Sequence, residues 1–193
     1  MEKKLQGAHG DSPLVATAAA DLAKIKEFMS AVDFDMVLSS PQNRALATAE
    51  QLTDLPIVVD GRLREWDFGR LEGYKIADAI ALYPTEMEES RMALDKFDGS
   101  AFGAESVDSV LARFDSLAAA CEKYARVLWI GHGASGTAGI RHLAGFEKKD
   151  LRAAGGLRNN SVTILESQEN GGFSLKEWGW LPNRPEEAQD SLI

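Results

Sequence analysis

The sequence predicts an α/β fold, a three-layer sandwich whose mostly parallel central sheet carries helices on both faces. Three short apolar runs, MVLS at 36–39, IVV at 57–59 and VLWI at 127–130, have the length and composition of buried strands. The stretches between them repeat apolar residues at helical spacing. Strands alternating with helices build a parallel sheet covered on both sides. The 193 residues suit one domain, 1–193, and contain no internal repeat or low-complexity tract.

The elements follow in order. In 16–32, Leu22, Ile25, Phe28, Met29 and Val32 fall on one helical face. Strand 36–39 runs into SSPQNRALATAEQL, where Ser40 is placed as helix cap and Pro41 as first helical residue. After IVV, a helix over 75–82 is ended by Pro84. Residues 84–104 read as an irregular, cap-like insertion. Between Glu105 and Tyr124, apolar residues at 107, 110, 111, 114, 117, 118 and 121 make an amphipathic helix. VLWI reads as fully buried, and a helix from about Ser135 to Leu143 follows it. SVTILE (161–166) and FSLKEW (173–178) close the fold as a hairpin turned at ENGG, and 181–193 reads as a polar, frayed tail.

Bulk properties narrow the function. A net charge of −9 argues against a general nucleic-acid binder, which needs a basic surface, but allows a local phosphate site. One cysteine, Cys121, excludes an intrachain disulfide framework, suits a reducing compartment, and lies in the apolar stripe of its helix. No apolar run reaches the ~20 residues of a membrane-spanning helix, and MEKKLQ lacks a signal peptide's apolar segment. The expectation is a cytoplasmic protein with no membrane partner.

Ligands of α/β sheets bind beyond the carboxyl ends of the strands. Two strand ends carry suitable residues. Arg44 sits in the first turn after strand 36–39, where free backbone N–H groups and the helix dipole favour an anion and a guanidinium adds a planar fork. The plainer reading is a surface arginine. His132 emerges from strand 127–130 between Gly131 and Gly133, placed as phosphate donor or acid/base, against the alternative of a satisfied core histidine. In RLREWDFGRLEG, Glu65 and Asp67 are candidate general acids, or a solvated loop. His142 reads as structural, and His9, in QGAHGDSPL, as a loop residue.

Taken together, these segments resemble the histidine phosphatase superfamily, the phosphoglycerate-mutase-like proteins. QGAHGDSPL resembles the family's QG-x-x-D-x-P-L, and SSPQNRALATA its SSP-x-x-RA-x-x-TA. LREWDFGRLEG resembles L-x-E-x-x-FG-x-x-EG, and GAESVDSVLARF the GGES segment. VLWIGHGASGTAGIRHLAG resembles the second-histidine segment and LRNNSVTILE the late N-x-S-V strand, all in the family's order over 6–166. The resemblance implies metal-independent, cofactor-free phosphoryl transfer through a phosphohistidine. Arg44 and His132 would hold the phosphoryl oxygens with the backbone at Gly133, and Glu65 would protonate the leaving oxygen.

One departure is central. The family's nucleophile lies in an R-H-G motif after its first strand, ahead of D-x-P-L. Here D-S-P-L begins at Asp11, Ala8 precedes His9, and no Arg-His-Gly occurs. The expectation is a domain that is N-terminally incomplete, read from a late start site or a truncated frame. It would lack an interior strand and be unstable unless another strand fills the place. The implied function is a phosphomonoester phosphatase, or a mutase, acting on a small phosphorylated metabolite. The alternative is a catalytically dead, phosphate-binding relative with a regulatory role; an unrelated α/β domain is a third reading. A homodimer is left open.

Overall fold

The computed structural model describes residues 4–15, 18–169 and 171–182. Along the chain run α1 (Ala18–Phe28), β1 (Met36–Ser39), α2 (Asn43–Leu52), β2 (Ile57–Val59), α3 (Ile76–Leu82) and α4 (Pro84–Met92). Then come α5 (Val107–Cys121), β3 (Val127–Ile130), α6 (Gly133–Leu143), β4 (Val162–Ser167) and β5 (Phe173–Trp180). β1 pairs in parallel with β2 on one side and β3 on the other, giving the order β2-β1-β3. β4 and β5 form a separate antiparallel pair.

The three layers follow from the two-residue period of a strand. Val37 and its neighbours Ile57 and Leu128, with Ile130, turn to the face covered by α1 and α2, packing on Leu22, Ile25, Ala45 and Ala49. Met36, Leu38, Val127 and Trp129 turn to the opposite face, against Leu63, Leu117 and Cys121. A larger core beyond α5 joins Phe114 and Ala138 to Trp66, Met87, Leu94, Phe97 and Phe102. The 84–104 segment is thereby anchored in the body of the fold. α5 and α6 meet closely because Gly139 has no side chain. A Cβ there would lie 2.2 Å from the Phe114 ring.

Several expected boundaries shift. The first helix spans 18–28 instead of 16–32, and residues 16 and 17 lie outside the described residues. Pro84 does end α3, but it also opens α4, since a proline at a first helical position loses no hydrogen bond. The expected irregular insertion is therefore helical over its first nine residues. α6 begins at Gly133, two residues early, and α5 begins at Val107 with Ser106 as its cap. VLWI is not fully buried. Only Ile130 is; Val127, Leu128 and Trp129 are half-buried. β3 has a strand partner on one edge only among the described residues, which accounts for the difference. The hairpin is present, with Gly171 and Gly172 both at φ 82° in its turn. Residues 183–193, most of the expected tail, lie outside the described residues.

The described N-terminal residues do not enter the sheet. Lys4 bridges Lys75, and Leu5 exchanges backbone hydrogen bonds with Gly73 and Tyr74. Among the described residues the sheet therefore stops at β3, and the β4–β5 hairpin pairs with none of its strands. Val162 of β4 and Trp180 of β5 nevertheless pack on the same apolar cluster as Leu128 and Ile130 of β3. Phe28 of α1 stacks on Trp180 at 4.3 Å and holds the hairpin from below.

Candidate active site

The carboxyl ends of β1 and β3 are adjacent because the strands pair in register, Ser39 opposite Ile130. This brings Ser40 and His132 together. His132 Nε2 lies 2.7 Å from Ser40 Oγ, with the imidazole tautomer deciding which atom donates. Ser40 does not cap a helix as expected. It lies in the bend before α2, whose cap position is Gln42. Pro41, expected as the first helical residue, lies in the bend with Gln42, and α2 begins two residues later at Asn43. Ser40 is fully buried and its hydroxyl reaches Gln42 Oε1 at 3.3 Å.

Arg44 is in the first turn of α2, but the N–H groups there are not free. Asp11 caps the helix, accepting from Asn43 N at 2.6 Å and Arg44 N at 3.3 Å. Burial works to raise the Asp11 pKa. The N–H donors of Asn43, Ser12 and Arg44, with the Arg44 guanidinium, outweigh it, and the carboxyl is held below its ordinary range. The guanidinium itself donates to the carbonyls of Gly10 (2.6 Å) and Gly7 (3.2 Å) and to Asp11 Oδ1 (3.3 Å). An open cleft of about 490 Å³ lies between the Asp11–Leu14 loop and Asn43, Arg44 and Ala47; His132 and Glu65 do not line it.

Glu65 is buried against the start of α6. Its Oε1 accepts from Trp66 N (2.8 Å) and Ser135 N (2.7 Å), and its Oε2 from Ala134 N (3.0 Å). The carboxylate thus occupies the positive end of the helix that opens just after His132. This is the position an incoming phosphate would seek. Gly133 contributes a carbonyl to Thr137 Oγ1 at 2.5 Å. A Cβ on Gly133 would stand 3.4 Å from the Leu157 carbonyl, so protein backbone lies alongside it.

Burial dominates the electrostatics of His132. It pushes the imidazole pKa from 6.5 down to about 4; the Glu65 charge opposes this and Arg44 adds to it. The folded protein therefore holds His132 neutral, while the unfolded chain binds a proton below pH 6.5. Stability from this group is fully present above about pH 6.5 and is lost as the pH falls toward 4. The loss amounts to roughly 3 kcal/mol at most. Urea midpoints at pH 7 and 4.5 check this: a His132→Gln variant is expected to lose less between the two than wild type does, and an equal loss would contradict it.

Gln42 joins these parts and was not singled out from the sequence. Its amide donates to the carbonyls of Gly7 (2.7 Å) and Gly10 (3.3 Å), and its oxygen accepts from Glu65 N (2.9 Å). Gly7 must be glycine here, since a Cβ would sit 2.6 Å from the Trp66 backbone carbonyl oxygen as well as against the Glu72 carboxylate. His9 is an exposed loop residue, 3.0 Å from Asp67 Oδ2. Ligand atoms of His9, Asp67 and Glu72 lie within 4.8 Å of one another, as a metal would require. Glu72 already accepts from the backbone N–H groups of His9, Gly10 and Phe68, so the cluster reads as a loop clamp. His142 pairs with Asp115 at 2.9 Å on the surface between α5 and α6.

The fold and this pairing of strand ends define an α/β protein of the phosphoglycerate-mutase-like class. The family model of the histidine phosphatase superfamily (branch 1) matches residues 1–181, and the chain belongs to that superfamily. It is 28% identical over 181 residues to the probable phosphoglycerate mutase GpmB of Proteus mirabilis, covering 87% of this chain and 79% of that one. It is also 28% identical over 106 residues to the uncharacterized phosphatase PhoE of Bacillus subtilis, covering 53% of this chain and 54% of PhoE. The match thus spans about half the length of PhoE. The mycobacterial glucosyl-3-phosphoglycerate phosphatase, solved with inorganic phosphate, superimposes with a TM-score of 0.81 at 25% identity, over 96% of this chain and 95% of that one. Bacillus stearothermophilus YhfR aligns with a TM-score of 0.82 at 24% identity over 92% and 89% of the two chains, which bears on the fold. Among the described residues, no helix is long and apolar enough to cross a membrane.

Proposed function

We propose that this chain carries the phosphate-holding half of a metal-independent phosphomonoesterase site, and that the nucleophile arrives on a strand inserted between β3 and β4. The observation that supports this best is the split sheet, because its two parts border one apolar cluster. The superfamily's R-H-G strand would enter there. In the reaction the resemblance implies, an imidazole nitrogen of that strand attacks phosphorus and the ester P–O bond breaks. Glu65, displaced by phosphate from the Ala134 and Ser135 N–H groups, takes up a proton from solvent and passes it to the leaving oxygen, and water then hydrolyses the N–P bond. Arg44 and the N–H groups at the start of α6 neutralise charge on the phosphoryl oxygens, and the neutral His132 imidazole offers them a ring N–H as hydrogen-bond donor. Substrates would be small phosphorylated metabolites, in the reducing, cytoplasmic setting that one cysteine suits.

A second reading keeps phosphate binding without turnover. It is supported by the sequence itself, which contains three histidines and no Arg-His-Gly. Both readings require that Arg44 exchange the Gly7 and Gly10 carbonyls, and that Ala134 and Ser135 exchange Glu65, for phosphate oxygens. Phosphorus-31 NMR of inorganic phosphate titrated with the chain tests this shared step. Saturable binding that His132→Ala weakens about tenfold or more is expected for loss of a donor to a charged group. Binding unaffected by that change would contradict the site.

A further inference from the structure

Gln42 occupies the cap position of α2, yet its side chain makes no capping hydrogen bond. Cap residues usually turn a short side chain back onto the first turn. Here Asp11 does so from another segment, accepting from Asn43 N and Arg44 N. The buried Gln42 amide is therefore free for other partners, and it uses both of its donors and its oxygen. Nε2 donates to the carbonyls of Gly7 (2.7 Å) and Gly10 (3.3 Å). Oε1 accepts from Glu65 N (2.9 Å) and lies 3.3 Å from Ser40 Oγ, the hydroxyl that meets His132. The partners fix the orientation of the amide, since the two carbonyls need its nitrogen and the Glu65 N–H needs its oxygen.

The same two carbonyls are the ones that Arg44 holds. Arg44 Nη1 donates to the Gly10 carbonyl (2.6 Å) and Nη2 to the Gly7 carbonyl (3.2 Å), so each oxygen receives one donor from each side chain. A carbonyl is satisfied by one donor and can accept two. The duplication has a use if one donor must leave. Phosphate entry takes Arg44 from both carbonyls and the Glu65 carboxylate from Ala134 N and Ser135 N. Gln42 touches both segments that lose a partner. It keeps Gly7 and Gly10 bonded, and it holds Glu65 by its backbone N–H while the carboxylate moves. The two segments are also neighbours, because a Cβ on Gly7 would stand 2.6 Å from the Trp66 carbonyl oxygen.

We propose that Gln42 is a positioning residue that keeps the 7–11 loop and the Glu65 backbone in place when Arg44 and the Glu65 carboxylate give way to phosphate. This rests on the phosphate site described above. Without Gln42, release of Arg44 strands a carbonyl at buried Gly7 and another at half-buried Gly10, and phosphate binds more weakly for it. With Gln42, each carbonyl loses only its second donor. Gln42 thus acts on phosphate through Arg44, without touching the anion.

Titrations of inorganic phosphate into four proteins test it: wild type, Gln42→Met, Arg44→Lys and the double variant. Methionine has the length of glutamine and no amide. In the wild-type background Gln42→Met should weaken phosphate binding about tenfold, the order expected when a buried carbonyl is left without a donor. In the Arg44→Lys background the same change should weaken it less than about threefold, because a lysine contacts one carbonyl at most and leaves less to exchange. A purely structural Gln42 would weaken binding by equal factors in both backgrounds, or lower the urea midpoint and leave affinity unchanged; either result overturns the proposal. Gln42→Asn, a shorter amide, takes the place of Gln42→Met in the same cycle if the latter does not fold. A second readout needs no variant. In wild type saturated with phosphate, the carbonyl carbon resonances of Gly7 and Gly10 should move as Arg44 departs, while the Gln42 side-chain amide protons keep their hydrogen-bonded shifts. Gln42 amide protons that move to solvent-exposed shifts on saturation overturn the proposal. Absence of phosphate binding to wild type, or binding with no change at Gly7 and Gly10, would instead overturn the phosphate-site reading.

Discussion

Extending the chain at its N-terminus with an apolar strand that ends in Arg-His-Gly should raise its thermal midpoint and confer metal-independent hydrolysis of an aryl phosphate. The expectation comes from the sheet. β3 and β4 each lack a strand partner on one edge among the described residues, and Leu128, Ile130 and Val162 beside them share one cluster. A strand entering there satisfies two rows of backbone donors and acceptors and buries three or four apolar side chains, each worth about 1.5–3 kcal/mol before ordering costs. A net gain of several kcal/mol moves the midpoint of a domain this size by roughly 10 °C. An extension ending in Arg-Ala-Gly separates structure from chemistry: it should give the same rise with no turnover. Adding His132→Ala to the Arg-His-Gly version should abolish turnover while most of the rise remains. An unchanged midpoint in both extended proteins would remove the gap as an explanation. So would a cooperative, high-temperature transition of the unextended monomer. Turnover that depends on an added divalent ion would contradict the charge-neutralising role given to Arg44 and the start of α6.

How much of this could be read beforehand depended on how local the determinants are. IVV and VLWI were legible to the residue, because a short apolar run between polar turns has few other uses. Val107–Cys121 was legible because its apolar stripe runs for four turns. The stripe did not show that Arg113 would be buried with it. That residue depends on Glu105 and on the carbonyls of Arg62 and Arg64, all outside the helix. His132, Arg44 and Glu65 were singled out by motif and strand-end position, and the fold does bring their backbones to one end of the sheet. Their partners were not legible. Asp11 caps α2 across 32 residues of sequence, Glu65 reaches Ser135 across 70, and Gln42 Nε2 reaches Gly7 across 35. Such contacts follow from tertiary placement, and no periodicity encodes them. The helix that opens at Pro84 has the same origin. Proline stops a helix or starts one with equal ease, and only packing of Met87 into the core decides for the second.

Replacing Arg44 by alanine should cost both phosphate affinity and fold stability, and the two losses are separable. In the free protein this guanidinium holds the 7–11 loop through the carbonyls of Gly7 and Gly10 and through Asp11. Hydrogen bonds from a charged donor are worth about 1.5–3 kcal/mol each when buried, so removing the side chain should lower the unfolding free energy by roughly 2–4 kcal/mol. Asp11 would keep its backbone donors from Asn43 and Arg44's position, which limits the damage to α2. For phosphate the loss is larger. The charge and the planar fork both disappear, and deleting one partner of a desolvated charge pair costs about 2–5 kcal/mol, a factor of roughly 30 to several thousand in affinity. Arg44→Lys discriminates the two roles. A lysine supplies the positive charge but a single point of contact, so it should recover part of the phosphate affinity while bridging Gly7 and Gly10 poorly. The expected pattern is therefore affinity partly restored and stability little restored, read by phosphate titration and urea midpoints on the same samples. Full phosphate affinity in Arg44→Ala would show that the guanidinium serves the loop alone and would return the anion site to His132 and the start of α6.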